Sequence, residues 1–161
     1  MASRFPERVY TTEELEEARR FVKSGLKHRL ALMGDPDFRK QVAKALEHVK
    51  TAGFCDFLRT YIRRIVEIDG FSQLREDEAA IWTNMQLLVN PIEAAGFLVQ
   101  KAFLMKNFLE GKPYYGGAAE ARSVEKRIEF LTALKARTRR RVIREECEKI
   151  LKRWAESTFV F

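Results

Sequence analysis

Phe54-Cys55-Asp56-Phe57-Leu58-Arg59-Thr60-Tyr61-Ile62-Arg63-Arg64-Ile65-Val66-Glu67-Ile68-Asp69 is the stretch on which the fold class turns. At 100° per residue, Phe54, Phe57, Leu58, Tyr61, Ile62, Ile65 and Ile68 fall on one face. Asp56, Arg59, Arg63 and Glu67 fall on the other, so the spacing predicts an amphipathic helix over residues 54–69. Gly70 then closes it in the usual C-terminal position.

Working outward, the neighbouring segments carry helix punctuation. Asp35-Pro36 offers an N-cap followed by Pro at the first helical position, with Phe38, Val42, Ala45, Leu46 and Val49 facing inward and Ala52-Gly53 as the stop. Upstream, Thr11 with Glu14 forms a capping box. The pattern Leu15, Ala18, Val22, Leu26, Leu30 extends a first helix to Gly34. Gly25 inside it costs about 1 kcal/mol against Ala and is expected to mark a close helix crossing. Residues 1–10 read as an extended N-terminal arm pinned by Phe5 and Tyr10.

Downstream, residues 76–89 read as a fourth helix with Ile81, Trp82, Met85, Leu88 and Val89 inward. Asn90-Pro91 starts a fifth. Residues 91–110 are apolar almost all round, which implies a central, nearly buried helix or one covered by a second subunit. The Gly111 to Gly117 connector leads into residues 118–156. This last stretch is free of Pro and Gly, and as one rod it would be on the order of 55 Å long. Its apolar positions form two stripes, one on Val124, Ile128, Leu131 and Leu134, the other on Ile143, Cys147, Ile150 and Trp154. A straight helix cannot turn both to one partner, so two packing partners or a break near Thr138 is expected. With no competing strand pattern, the fold expected is all-α: one domain over residues 1–161, a bundle of about six helices with a long, kinked C-terminal helix.

Charge sits almost wholly in this segment. Residues 122–144 hold nine cations and two anions, which equals the formal net charge of +7. Lys135, Arg137, Arg139, Arg140, Arg141 and Arg144 are the candidate contacts for an anionic partner, either an acidic protein or the phosphate backbone of a nucleic acid. Arg141 with Glu145 and Arg144 with Glu148 have the spacing of helix ion pairs. No aromatic residue lies among these cations, which speaks against single-strand stacking.

Several chemistries lack their residues. His28 and His48 are isolated, and neither belongs to a Glu-x-x-His or His-Glu-x-x-His motif. Phosphate-binding loops, EF-hand spacing and a Gly-x-Ser-x-Gly elbow are missing, so no catalytic residue, metal or cofactor is expected. Two cysteines form no disulfide framework and suit the cytoplasm. The sequence also lacks an apolar run long enough to span a membrane.

The functional expectation is a non-catalytic interaction or assembly protein, a homodimer using Ile143, Cys147, Ile150 and Trp154 and the aromatic tail with Phe159 and Phe161. The alternative is a phosphate-backbone binder using the basic segment 135–144.

Overall fold

Helix stops at Ile62, seven residues before the sequence pattern would end it. In the computed structural model, which describes residues 4–158, Ile62 adopts φ −117° and ψ 125° after a short helix, α3, over Cys55–Tyr61. The following Arg64–Glu67 is a strand, β2, with Ile65 fully buried. Ile62, Ile65, Val66 and Ile68 are β-branched, stiff at χ1 and at ease on a pleated surface. Their spacing fits a helix stripe as well as a strand, and a run this short does not separate the two.

The expectation of an all-α bundle is therefore corrected. The chain is 64% helical, but a four-stranded mixed sheet supplies another 9%. The order is β1-β2-β4-β3, with β1 at Ala31–Met33, β3 at Gln73–Arg75 and β4 at Ala80–Thr83. Strands β1, β2 and β4 run parallel, Leu32 beside Ile65 and Ile65 beside Ile81. Strand β3 is antiparallel to β4, Leu74 beside Ile81.

Two further expected helices give way to this sheet. The first, α1, covers only Thr12–Lys23. Its Thr11–Glu14 capping box forms as expected, Thr11 N–H donating to Glu14 Oε1 at 2.8 Å. Gly25 is no crossing point: its φ is +87°, and a Cβ there would meet nothing within 4 Å. It is the left-handed residue that lets the chain leave the helix for β1. The expected fourth helix, 76–89, becomes a 3-10 turn at Glu76–Glu78, β4 and a second 3-10 turn at Gln86–Val89, with β3 just ahead of it. Ala79, left-handed at φ 51°, reverses the chain between β3 and β4.

Helix α2 runs over Pro36–Thr51 and buries Phe38, Val42, Ala45 and Val49, as its spacing predicts. Helix α4, Pro91–Leu109, is the central element, packed by α2, α3 and α5. Asn90 Oδ1 accepts from the N–H groups of Ile92 and Glu93, at 3.1 Å each. The N-terminal arm is held by Phe5, edge-on to His28 at 4.6 Å, and by buried Val9, whose N–H donates to Asp77; Tyr10 is exposed.

The long C-terminal stretch breaks at residues 138–140 into α5, Gly117–Arg137, and α6, Arg141–Thr158. Lys135 meets Glu148, and Arg127 meets Trp154, so α6 folds back antiparallel along α5. The rod becomes a helical hairpin.

Candidate docking groove

The hairpin consumes the apolar stripe that the sequence offers to a second subunit. Ile143, Cys147 and Ile150 are buried in the core with Leu131 and Leu134, and half-buried Trp154 packs against the same core. Cys147 is correspondingly inert: burial, with Glu146 nearby, pushes its thiol up to about 11. Phe159 and Phe161 lie outside the described residues.

The six candidate cations divide. Lys135 pairs with Glu148 at 3.6 Å and Arg141 with Glu145 at 2.8 Å. Arg137 Nη1 donates to the Ala52 carbonyl, 2.9 Å away at the end of α2, and Arg144 Nη2 donates to the Thr138 carbonyl at 3.1 Å. The expected Arg144–Glu148 pair is replaced because α5 brings Lys135 to Glu148. Among the described residues, the side chains of Arg139 and Arg140 meet no acceptor.

Arg140 lies on the rim of the groove that sequence reasoning missed. Between α2, the start of α4 and the start of α6 is an open hollow of about 690 Å³. Lys44, Glu47 and His48 come from α2; Val89, Asn90, Pro91 and Ile92 come from the approach to α4; Arg140, Val142, Ile143 and Glu146 come from the hairpin. Val89 is 74% exposed and Val142 69%. Two solvated valines facing one hollow are the part of this surface with most to gain from being covered. Burial, then Arg140, lowers His48 below the ordinary histidine range, with Glu47 opposing. The other charged groups of the lining are Lys44 and Arg140 against Glu47 and Glu146. The excess of positive charge comes from the adjoining Arg137, Arg139 and Arg144. Only Val142 had a sequence signal, an aliphatic residue outside the α6 stripe. The sequence pattern places Val89 in the core, and the groove itself depends on the α5–α6 turn meeting α2.

A second polar cluster is buried rather than open. Arg127 is 8% exposed and lies across α4, with Nη1 on Gln100 Oε1 at 3.0 Å and Nη2 on Glu93 Oε1 at 3.3 Å. Gln100 donates in turn to Ser123 Oγ at 2.9 Å. Gly96 makes room, since a Cβ there would come 2.8 Å from Arg127 Nε. Trp154 covers the guanidinium at 5.0 Å. Only Arg127 Nε among the described residues is a buried side-chain polar atom without a partner. This cluster clamps α4, α5 and α6 together.

A smaller hollow of about 390 Å³ runs beside β3, with Tyr10, Phe108 and Tyr114 in its wall. Among the described residues, no group of three or more His, Cys, Asp or Glu is placed to hold a metal ion. No helix among them is long and apolar enough to cross a membrane. Comparison with known proteins finds no matching family model, no matching curated protein and no matching solved structure.

Proposed function

We propose that this chain is a non-catalytic interaction protein and that the groove between α2 and α6 is its binding surface. The observation that carries the reading is the pairing of exposed Val89 and Val142 with unpartnered Arg140 around one hollow. Such a lining suits a polypeptide segment that brings an apolar side chain and a carboxylate together. Apolar contacts supply affinity, and the cation sets orientation and encounter rate. The free thiols of Cys55 and Cys147 suit a cytoplasmic setting.

A phosphate backbone is the competing ligand, favoured by the positive field of Arg137, Arg139, Arg140 and Arg144. It makes no use of the valines. Fluorescence anisotropy separates the two. One probe is a short labelled peptide with a single Phe among Asp and Glu residues; the other is labelled duplex DNA, at about 50 and 200 mM salt. The expected result is peptide binding that Val142→Glu abolishes. DNA binding with a steep salt slope, lost in the Arg137/Arg139/Arg140→Ala variant, would transfer the function to the phosphate backbone. Binding of neither probe would sink both readings.

A further inference from the structure

The most exposed apolar side chain among the large ones described is Phe71, at 90%. It projects from the β2–β3 loop, two residues after exposed Asp69. This loop is braced. Asn84 Nδ2 donates to the Gly70 carbonyl at 3.0 Å, and the Asn84 N–H donates to Ser72 Oγ at 3.1 Å. Ser72 Oγ also lies 3.0 Å from Thr83 Oγ1 in β4. A solvated aromatic on a fixed loop has already met the ordering cost that weakens binding by mobile segments.

The same Asn84 connects the loop to the groove. Its Oδ1 accepts from the Leu87 N–H at 2.9 Å, fixing the start of the 3-10 turn Gln86–Val89, and Val89 is a lip of the groove. At a rise of about 2 Å per residue, Val89 lies on the order of 10 Å along the chain from the residue that holds the loop. Knob and hollow are therefore parts of one hydrogen-bonded unit.

We infer that the occupant of the groove is Phe71 of a second copy of this chain, in a reciprocal, two-fold dimer. This rests on the reading of the groove as the binding surface. The chemistry is complementary at both levels. The Phe71 ring covers Val89 and Val142, and Asp69 brings the carboxylate that Arg140 and Lys44 lack. A two-fold axis requires the same patch on both partners, each supplying what the other receives. Phe71 and the groove belong to one chain, so each copy can supply one knob and one hollow to the other. Asn84 holds the Phe71 loop beside β4.

Sedimentation equilibrium on the full chain, from about 1 to 500 µM, tests this over the range of weak dimers. Wild type is expected to pass from monomer to dimer. Phe71→Ser removes the knob, and Val142→Glu blocks the hollow. Each is expected to weaken dimerisation by about tenfold or more, the loss typical of an interface anchor. Mixed in equal amounts, the two variants are expected to associate more than either alone, because one knob and one hollow remain intact in the mixed dimer.

A wild type that stays monomeric throughout overturns the inference. So does a variant that dimerises as well as wild type, or a mixture no more associated than its components. Both side chains are exposed, so matching circular dichroism and melting curves are expected for the variants. Should either variant misfold, Asp69→Arg and Arg140→Asp take their place: each alone weakens the dimer, and the double variant restores it. No restoration overturns the pairing. A monomeric wild type that still binds the acidic Phe peptide, in a manner sensitive to Val142→Glu, leaves the groove as the binding surface and removes only the second copy from it.

Discussion

Replacing Arg127 by Met is expected to lower folding stability by about 2–3 kcal/mol. The loss of a buried ion's partner usually costs more, but the Glu93 side chain is 30% exposed and water screens it. Gln100 Oε1 would lose its donor, and α6 would lose the guanidinium under Trp154. Urea denaturation measures this, and an unchanged midpoint would show the clamp to be idle. His28 carries the second residue-scale effect. Burial, then Arg63 and Arg59, push it down to about 4. The unfolded chain binds that proton near pH 6.5 and the folded chain only near 4. Stability from this group is therefore full above 6.5 and is lost as pH falls from there toward 4. The slope of Tm between pH 6.5 and 5 is expected to flatten in His28→Gln. Neither role is legible in the sequence. Arg127 counts there as one cation among nine, and His28 as a lone histidine on a helix that does not extend so far. What places them is Gly96 opening a path across α4, and Phe5 arriving from the arm.

Among the elements, helices with explicit start signals were legible. Thr11 with Glu14, Asp35-Pro36 and Asn90-Pro91 each open a helix where the sequence puts it. Caps are local chemistry: Thr11 and Asn90 accept from N–H groups of the first turn, while Asp35 holds the N-cap position without a side-chain bond and Pro36 supplies the start. The strands were not legible, because each is three or four residues long and the partners of β1 and β2 lie far along the chain. Nothing within Arg64–Glu67 announces that Ala31–Met33 and Ala80–Thr83 will flank it. The break in the last helix lies between these cases. The rotated stripes call for it, and the structure adds its cause. Thr138 turns extended at ψ 141°, and its Oγ1 accepts from the Arg140 N–H at 3.2 Å at the start of α6. Thr138→Ala is expected to lower stability by about 1 kcal/mol, while Thr138→Ser retains it. Equal urea midpoints for Ala and wild type would mean that packing alone holds the turn.

For the whole molecule, the sequence indicates a single helix-rich body around residues 91–110, and α4 occupies that place. It also indicates a cationic end, but not what the cations face. Four of the six candidates meet acceptors; the Arg141–Glu145 pair follows from its spacing, and folding decides the other three. The groove was hidden for the same reason: its walls come from residues 44–48, 89–92 and 140–146, which no periodicity connects.

The central position of α4 also orders events during synthesis. The apolar face of α2 is complete at Val49, but the helix that covers it ends sixty residues later, at Leu109. At about 5–20 residues per second the ribosome takes on the order of 3–12 s to cross that gap. Throughout this interval Val42, Ala45 and Val49 have no partner from α4. Slower translation between those points lengthens the exposure of that face to other nascent chains, whatever the stability of the finished fold.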